Sequence, residues 1–459
     1  MTDLVACHEC DMLFHRDEIP VGAIANCTRC GAELYRHIDN SLDRSLALYL
    51  STFVLMIIAN FYPFITMQTA GIKATSIVAS GGLALYQFGM GELGFVVFLT
   101  SILLPLVCVV SMIYLLIPAR FGRLPPLYGP VYRIVKICEP WSFLAVFMLG
   151  TLIAAVKLQD LASVMPGLGM LGFVLMLVTY SAARSNFDPE VLWARCRVNQ
   201  LDADQFPGGA EDARVICCHT CGLLRPHHPD LHECERCGAT VHFRVTDSLQ
   251  KTWALLIAAS IMLIPANLYP VMSVKKLGKG SADTIVSGVI HLMEAGLFGL
   301  AFIVLFASVV VPLMKLTVLT FLLYSVGNQS DWRPRDRTLL YRVTEVVGAW
   351  SMVDVFLVGL LSGLVSLGLL ASIEPGIGVT FFGAAVILTM LAAHSFDPRL
   401  IWDNTTLSCE GMPPEKSHDN GPSAGREPSA GREPSAGGEP SAGREPSANK
   451  NNEPVVSNS

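Results

Sequence analysis

The sequence predicts an all-α polytopic membrane protein made of two tandem four-helix transmembrane units, each preceded by a small four-cysteine ribbon. Three observations predict it. The 459 residues are 52% hydrophobic and only 15% charged, whereas soluble domains carry about a quarter charged residues. The apolar residues fall in long blocks: Ser45 to Gln68, Leu93 to Ala119 and Leu161 to Ala183 hold no Asp, Glu, Lys or Arg, and each can cross the roughly 30 Å hydrocarbon layer as a helix. The chain also repeats itself. Cys27-Thr-Arg-Cys30-Gly31 returns as Cys234-Glu-Arg-Cys237-Gly238, and Ser41-Leu42 as Ser248-Leu249. Ala59-Asn60-Phe61-Tyr62-Pro63 returns as Ala266-Asn267-Leu268-Tyr269-Pro270, Trp141-Ser142 as Trp350-Ser351, and Phe187-Asp188-Pro189 as Phe396-Asp397-Pro398.

The elements follow in chain order. Residues 1–40 read as the first ribbon and 41–200 as the first membrane unit, with spans near 46–67, 93–117, 140–159 and 167–186. Residues 213–246 read as the second ribbon and 247–403 as the second unit, with spans near 252–273, 295–324, 347–371 and 377–396. An even number of spans per unit puts both ribbons on one side, so the repeat is parallel. Pro63 and Pro270 predict a shared kink near the outer ends of the first helices, where Asn60 and Asn267 can compensate. Pro105 and Pro312 predict kinks in the second helices, and the Phe-Asp-Pro motifs predict helix stops. Residues 404–459, with their repeated Pro-Ser-Ala-Gly-Arg-Glu, cannot bury enough apolar surface to order themselves and read as a disordered tail.

Basic residues orient the chain. Arg120, Arg123, Arg133 and Lys136 fill one loop, and Arg333, Arg335, Arg337 and Arg342 its counterpart, which predicts that these loops, the N-terminus and both ribbons are cytoplasmic. Lys73 and Lys157 on the opposite side are few, although Lys275, Lys276 and Lys279 run against the rule. The polar segment at the start predicts that the first spanning helix itself directs insertion, without a cleaved signal.

Eight of the 13 Cys stand in four C-x-x-C pairs. Cys7, Cys10, Cys27 and Cys30, then Cys218, Cys221, Cys234 and Cys237, each supply four thiolates on two knuckles, a set that suits a structural Zn²⁺ with no open position for water. Iron in the same geometry and dithiol redox work are the competing readings, and Cys217 beside Cys218 complicates the ligand choice. His8, His219, His227, His228 and His232 read as solvated ribbon residues.

Lys315 and Asp354 interrupt apolar spans of the second unit, each at an insertion cost of about 2.5–3.5 kcal/mol; such residues have a partner and a purpose. Ser308 shares a helix face with Lys315, Ser351 shares one with Asp354, and Thr389 completes the cluster. The first unit has Cys108 and Ala145 at the matching positions, so function in the membrane is asymmetric. A proton relay or a substrate-coupled polar switch competes with a pair that merely fixes helix packing. Glu345, Glu294 and His394 near helix ends read as exposed. No phosphate loop, dinucleotide fingerprint or H-E-x-x-H occurs, and the chain is expected not to be an enzyme.

The duplicated ribbons, the Ala-Asn-x-Tyr-Pro motifs, Trp350-Ser351-Met352-Val353-Asp354-Val355-Phe356 and Ser395-Phe396-Asp397-Pro398-Arg399 resemble the paraquat-inducible protein A (PqiA) family with its LetA (YebS) branch, from Cys7 to Trp402. The resemblance implies a multi-pass protein of the bacterial inner membrane, partner of a periplasmic MCE-domain protein in intermembrane lipid transport, acting on phospholipid and not on nucleic acid. It also implies two cytoplasmic zinc ribbons and a polar network at Ser308, Lys315, Ser351, Asp354 and Thr389. A self-contained proton-coupled efflux or small-solute transporter, and a membrane-bound metal or redox sensor, remain the other classes the residues allow.

Overall fold

The computed structural model describes residues 4–69, 72–158, 163–196, 215–226, 232–276, 279–294, 296, 298–364, 371–403 and 455–458. The expected tail, apart from 455–458, and His227 and His228 lie outside the described residues.

The first ribbon is two hairpins, β1 (Leu4–Ala6) with β2 (Leu13–His15) and β3 (Ala23–Asn26) with β4 (Glu33–Arg36). Each hairpin carries a cysteine knuckle at its turn. Then come α1 (Ser41–Phe61), the strands β5 (Ile65–Thr69) and β6 (Ile72–Ser76), α2 (Ser80–Gln87), α3 (Gly91–Phe98), α4 (Leu104–Arg120), α5 (Tyr128–Cys138), α6 (Leu144–Leu158), β7 (Ser163–Pro166), α7 (Leu168–Asn186) and the short α8 (Pro189–Trp193). The second half repeats the order: β8 (Val215–Cys217) and β9 (Leu224–Pro226), α9 (Ser248–Leu268), β10 (Met272–Lys276), β11 (Lys279–Asp283), α10 (Ile285–Glu294), α11 (Phe298–Leu305), α12 (Val311–Gly327), α13 (Pro334–Gly348), α14 (Val353–Leu364), β12 (Ala371–Pro375) and α15 (Ile377–Ser395). A last strand, β13 (Val455–Asn458), pairs with β3.

Among the described residues, eight helical runs are long and apolar enough to cross a membrane, four in each half: Ser41–Phe61, Gly91–Arg120, Tyr128–Val156, Leu168–Asn186, Ser248–Leu268, Ala301–Gly327, Pro334–Ser362 and Ile377–Ser395. The expected kink at Pro63 and Pro270 is instead the end of a helix. Tyr62 and Tyr269 turn extended, and the chain runs straight into β5 and β10. Asn60 donates to Met56 O at 2.8 Å and Asn267 to Leu263 O at 2.9 Å, satisfying carbonyls in the last turn. The loops after the first and third spans of each half, for which no regular structure was expected, form three-stranded sheets in the orders β6-β5-β7 and β11-β10-β12. The basic segments are partly helical: α5 and α13 form the first parts of the third spans and join α6 and α14 through short 3₁₀ turns. Before Pro105 and Pro312 the second spans contain π turns, Leu99–Leu103 and Phe306–Val310. A proline ring clashes with the preceding turn and donates no N–H, and one extra residue in that turn removes the conflict.

The repeated Ser-Leu and Phe-Asp-Pro motifs meet in space. Ser41 Oγ donates to Asn186 O at 2.8 Å and accepts from Asp188 N at 2.8 Å; Ser248 Oγ donates to Ser395 O at 2.7 Å and accepts from Asp397 N at 3.0 Å. The start of each first span is thus pinned to the end of its fourth, so α1 packs along α7 and α9 along α15.

The third span of the second half is the most buried of the eight. Its inner part, α14, lies against α2 and α6 of the first unit. A Cβ on Gly81 of α2 would lie 3.3 Å from the Gly359 backbone, a closeness of approach that small residues permit in a bundle. The repeat-equivalent glycine on α10, Gly288, has no atom within 4 Å of such a Cβ. So α2 closes on α14, whereas α10 leaves open space at the equivalent position.

Candidate metal centres and membrane cavity

The eight knuckle cysteines come together as Cys7, Cys10, Cys27 and Cys30 and as Cys218, Cys221, Cys234 and Cys237, all buried, with the four sulfurs of each set within 4.8 Å of one another. Cys7 and Cys30 sulfurs are 3.4 Å apart, Cys10 and Cys27 3.5 Å, Cys218 and Cys237 3.6 Å, and Cys221 and Cys234 3.5 Å. Four thiolates around one zinc, at Zn–S of about 2.3 Å, stand about 3.8 Å apart, and the described cysteines are free thiols rather than disulfides. The knuckles are built by the backbone: Cys7 N donates to Met12 O at 3.0 Å and Cys27 N to Ala32 O at 2.7 Å, with Cys218 N to Leu223 O and Cys234 N to Ala239 O repeating the pattern at 2.9 and 2.8 Å. The donor set fits a tetrahedral metal ion of thiophilic character. Cys217 points its thiol away from the set, toward Cys218 O.

Each ribbon is seated on the opposite membrane unit. The first packs its knuckles and Phe14 against Leu319, Leu322, Tyr341 and Trp402 of the second unit, and the second packs against Tyr132 and Trp193 of the first. The repeat makes the contacts in duplicate. The Arg29 guanidinium lies 4.6 Å above the Trp402 ring and Arg236 5.4 Å above Trp193, within cation–π range. Arg342 donates to Cys30 O at 3.0 Å and Gly31 O at 3.4 Å, and Arg133 to Gly238 O at 2.8 Å. Arg342 also forks onto the buried Glu9 carboxylate. Sequence reading took Arg133 and Arg342 only as topogenic charge, and the return of Tyr132-Arg133 as Tyr341-Arg342 was the signal that they do more.

A second polar junction joins the ribbons to the end of α15. Arg399 binds Asp397 at 2.9 Å and reaches Asp11 at 3.4 Å, and it donates to His219 Nε2 at 2.7 Å. Arg244 bridges Asp11 and Asp403. His8, His219 and His232 are exposed, and His219 is held by Arg399.

The intramembrane residues divide into two groups. Lys315, on α12 and 1% exposed, donates to Gly348 O at 2.8 Å and to Thr389 Oγ1 at 3.4 Å. The expected Lys315–Asp354 contact pair does not form among the described residues: the ammonium is held by a backbone carbonyl at the end of α13 and a hydroxyl on α15. Ser308 and Asp354 instead both line a cavity with an empty volume of about 580 Å³, to which Thr284 adds a hydroxyl and whose other lining is apolar, including Ile153, Ile285, Leu292, Leu357 and Phe382. Ser351, buried in the turn Ala349–Met352, lies between the groups, since that turn touches α12, the π turn and α15; its Oγ has no hydrogen-bond partner among the described residues. The cavity is the space left where α10 stands off from α14, which no periodicity could reveal. Cys108 is buried and Ala145 exposed at the matching positions of the first unit, and Glu345, Glu294 and His394 are exposed.

Known proteins agree with this architecture. The family described as Paraquat-inducible protein A matches residues 42–197 and 249–406, once per unit. The chain is 33% identical over 402 residues to Lipophilic envelope-spanning tunnel protein A of Escherichia coli K12, covering 87% of this chain and 91% of that protein. It is 30% identical over 421 residues to Intermembrane transport protein PqiA of the same strain, covering 90% and 97%. A Probable intermembrane transport protein of Haemophilus influenzae is 28% identical over 405 residues, covering 87% and 95%. No solved structure matches. With both of its membrane units matched and relatives aligned over nearly their whole length, the chain belongs to the paraquat-inducible protein A family.

Proposed function

We propose that this protein is the inner-membrane component of an intermembrane lipid transport system, loading or unloading phospholipid for a periplasmic conduit formed by an MCE-domain protein. The observation that carries the proposal is the cavity of the second unit, closed by Ile153 from the first, mostly apolar, with Thr284, Ser308 and Asp354 in its wall. Such a lining suits an acyl chain and offers a small polar solute few hydrogen bonds, which favours lipid over efflux of a hydrophilic solute. The curated relatives named as intermembrane transport proteins agree in kind.

In this reading Asp354 senses the cavity and Lys315 holds three elements together. A proton on Asp354 changes the charge beside Ser351 and the turn that leads back to Gly348, so protonation biases the bundle between a state that accepts lipid and one that passes it outward. The ribbons lie in the cytoplasm, each set of four cysteines holding one zinc ion. Zinc there supplies cross-links to a fold too small for its own core.

The test is Asp354→Asn in cells and in membranes reconstituted with the co-purified periplasmic partner. The expected result is a folded protein, retaining about two zinc ions per chain, whose lipid transfer is lost. Undiminished transfer by a correctly folded variant would reject the proton-coupled step. Absence of any MCE partner and of bound phospholipid after mild affinity purification would reject the transport assignment itself.

A further inference from the structure

The two ribbon seats are built alike but charged differently. On the seat of the first ribbon, Arg342 holds Cys30 O and Gly31 O and is neutralised by Glu9, the residue before the second cysteine of Cys7-His-Glu-Cys10. On the seat of the second ribbon, Arg133 holds Gly238 O in the same manner, but the matching residue of Cys218-His-Thr-Cys221 is Thr220. Among the described residues no carboxylate lies within 4 Å of Arg133. Beside Arg133 opens a cleft with an empty volume of about 450 Å³, whose lining includes Tyr128, Gly129, Arg133, Arg236, Cys237 and Gly238. The α5 helix begins at its edge with Leu127 in the left-handed conformation and no capping side chain, so the positive end of that helix adds to the two guanidiniums.

We infer that this cleft is an anion site that takes a phosphate oxyanion in the place the Glu9 carboxylate holds in the other half. Two arginines at one cleft suit planar, multidentate recognition of phosphate. The phosphate can be that of an anionic lipid in the adjacent leaflet, since α5 leads directly into the third span, or free phosphate. The inference stands apart from the transport assignment: a protein that moves no lipid could still hold this anion.

The experiment measures thermal stability and phosphate binding of the full chain in nanodiscs of phosphatidylcholine, with chloride at matched ionic strength as the reference. Inorganic phosphate is expected to raise the melting temperature saturably and chloride not to. Arg133→Gln should weaken phosphate at least tenfold. Thr220→Glu, which installs the carboxylate of the first ribbon, should abolish the phosphate effect while leaving the melting temperature in chloride at or above that of the unsubstituted protein. In nanodiscs containing phosphatidylglycerol, in buffer without inorganic phosphate, competition with added phosphate identifies a lipid headgroup as the occupant, and its absence identifies free phosphate. No saturable phosphate or phosphatidylglycerol effect on the unsubstituted protein overturns the inference, as does a Thr220→Glu variant that binds phosphate undiminished.

Discussion

Replacing Gly348 with alanine sets a local gain against a tertiary loss. Gly348 closes α13 with ordinary helical angles, φ −55 and ψ −38, so helix propensity alone favours alanine by about 1 kcal/mol. The new Cβ, however, would lie 2.8 Å from Lys315 Cε and 3.1 Å from Lys315 Nζ. The clash itself is cheap to relieve, because a lysine tip is flexible. Losing the bond is not: the ammonium is 1% exposed and its best partner is Gly348 O at 2.8 Å. A hydrogen bond from a charged donor contributes about 1.5–3 kcal/mol, and a buried ammonium left without it cannot recover that from water. The net expectation is a loss of about 0.5–2 kcal/mol in denaturant titration of the micelle-solubilised protein. In a Lys315→Met background the same substitution should be neutral or stabilising, giving a coupling of about 1.5–3 kcal/mol in the double-mutant cycle. An equal cost in both backgrounds would refute the reasoning.

Other perturbations use the repeat as an internal control. Arg342→Ala strands the Glu9 carboxylate, whose side chain is 9% exposed, and should cost about 2 kcal/mol once the partial exposure of the arginine is discounted, whereas Arg133→Ala loses one carbonyl bond and should cost under about 1 kcal/mol; thermal melts compare them. Asp397 and Asp188 are repeat equivalents with opposite pH behaviour. Burial pushes the Asp397 carboxyl up, but the hydrogen bonds and charge of Arg399 outweigh it and hold it below the usual carboxylate value. Its stabilisation is complete above the unfolded value and lost as pH falls through the folded one, so Asp397→Asn should flatten the acid limb of stability below about pH 5. Burial pushes the Asp188 carboxyl up, with Arg16 only partly offsetting it; the ionised form costs stability at neutral pH, and Asp188→Asn should steepen the acid limb. Gly288→Leu enters open space and should leave the melting temperature unchanged while reducing phospholipid retained on purification. Gly81→Leu, facing the Gly359 backbone, should lower stability by about 1–3 kcal/mol.

Much of this architecture was legible because it rests on local rules. Thiolates with two residues between them on a tight turn converge whatever surrounds them, and an uncharged block of twenty or more residues has few homes other than a bilayer. Proline consequences were legible in kind but not in outcome. Pro63 ends its helix, whereas Pro105 is absorbed by a π turn in a helix that continues; which of these happens depends on whether neighbouring helices hold the segment straight.

The sequence by itself determined the two units, their parallel repeat, the two four-cysteine sets and the burial of Lys315 and Asp354, since these follow from composition, spacing and the cost of charge in hydrocarbon. Only the tertiary structure decided that each ribbon docks on the other half's helices, that Lys315 binds Gly348 O rather than Asp354, and that the halves close unequally around α14. Those outcomes turn on differences of a few kcal/mol between alternative packings of similar surfaces. The repeat makes the surfaces nearly interchangeable, so single substitutions, Glu9 against Thr220 at the ribbon seats and the differing neighbours of Gly81 and Gly288 in the membrane, set where charge is neutralised and where a cavity remains.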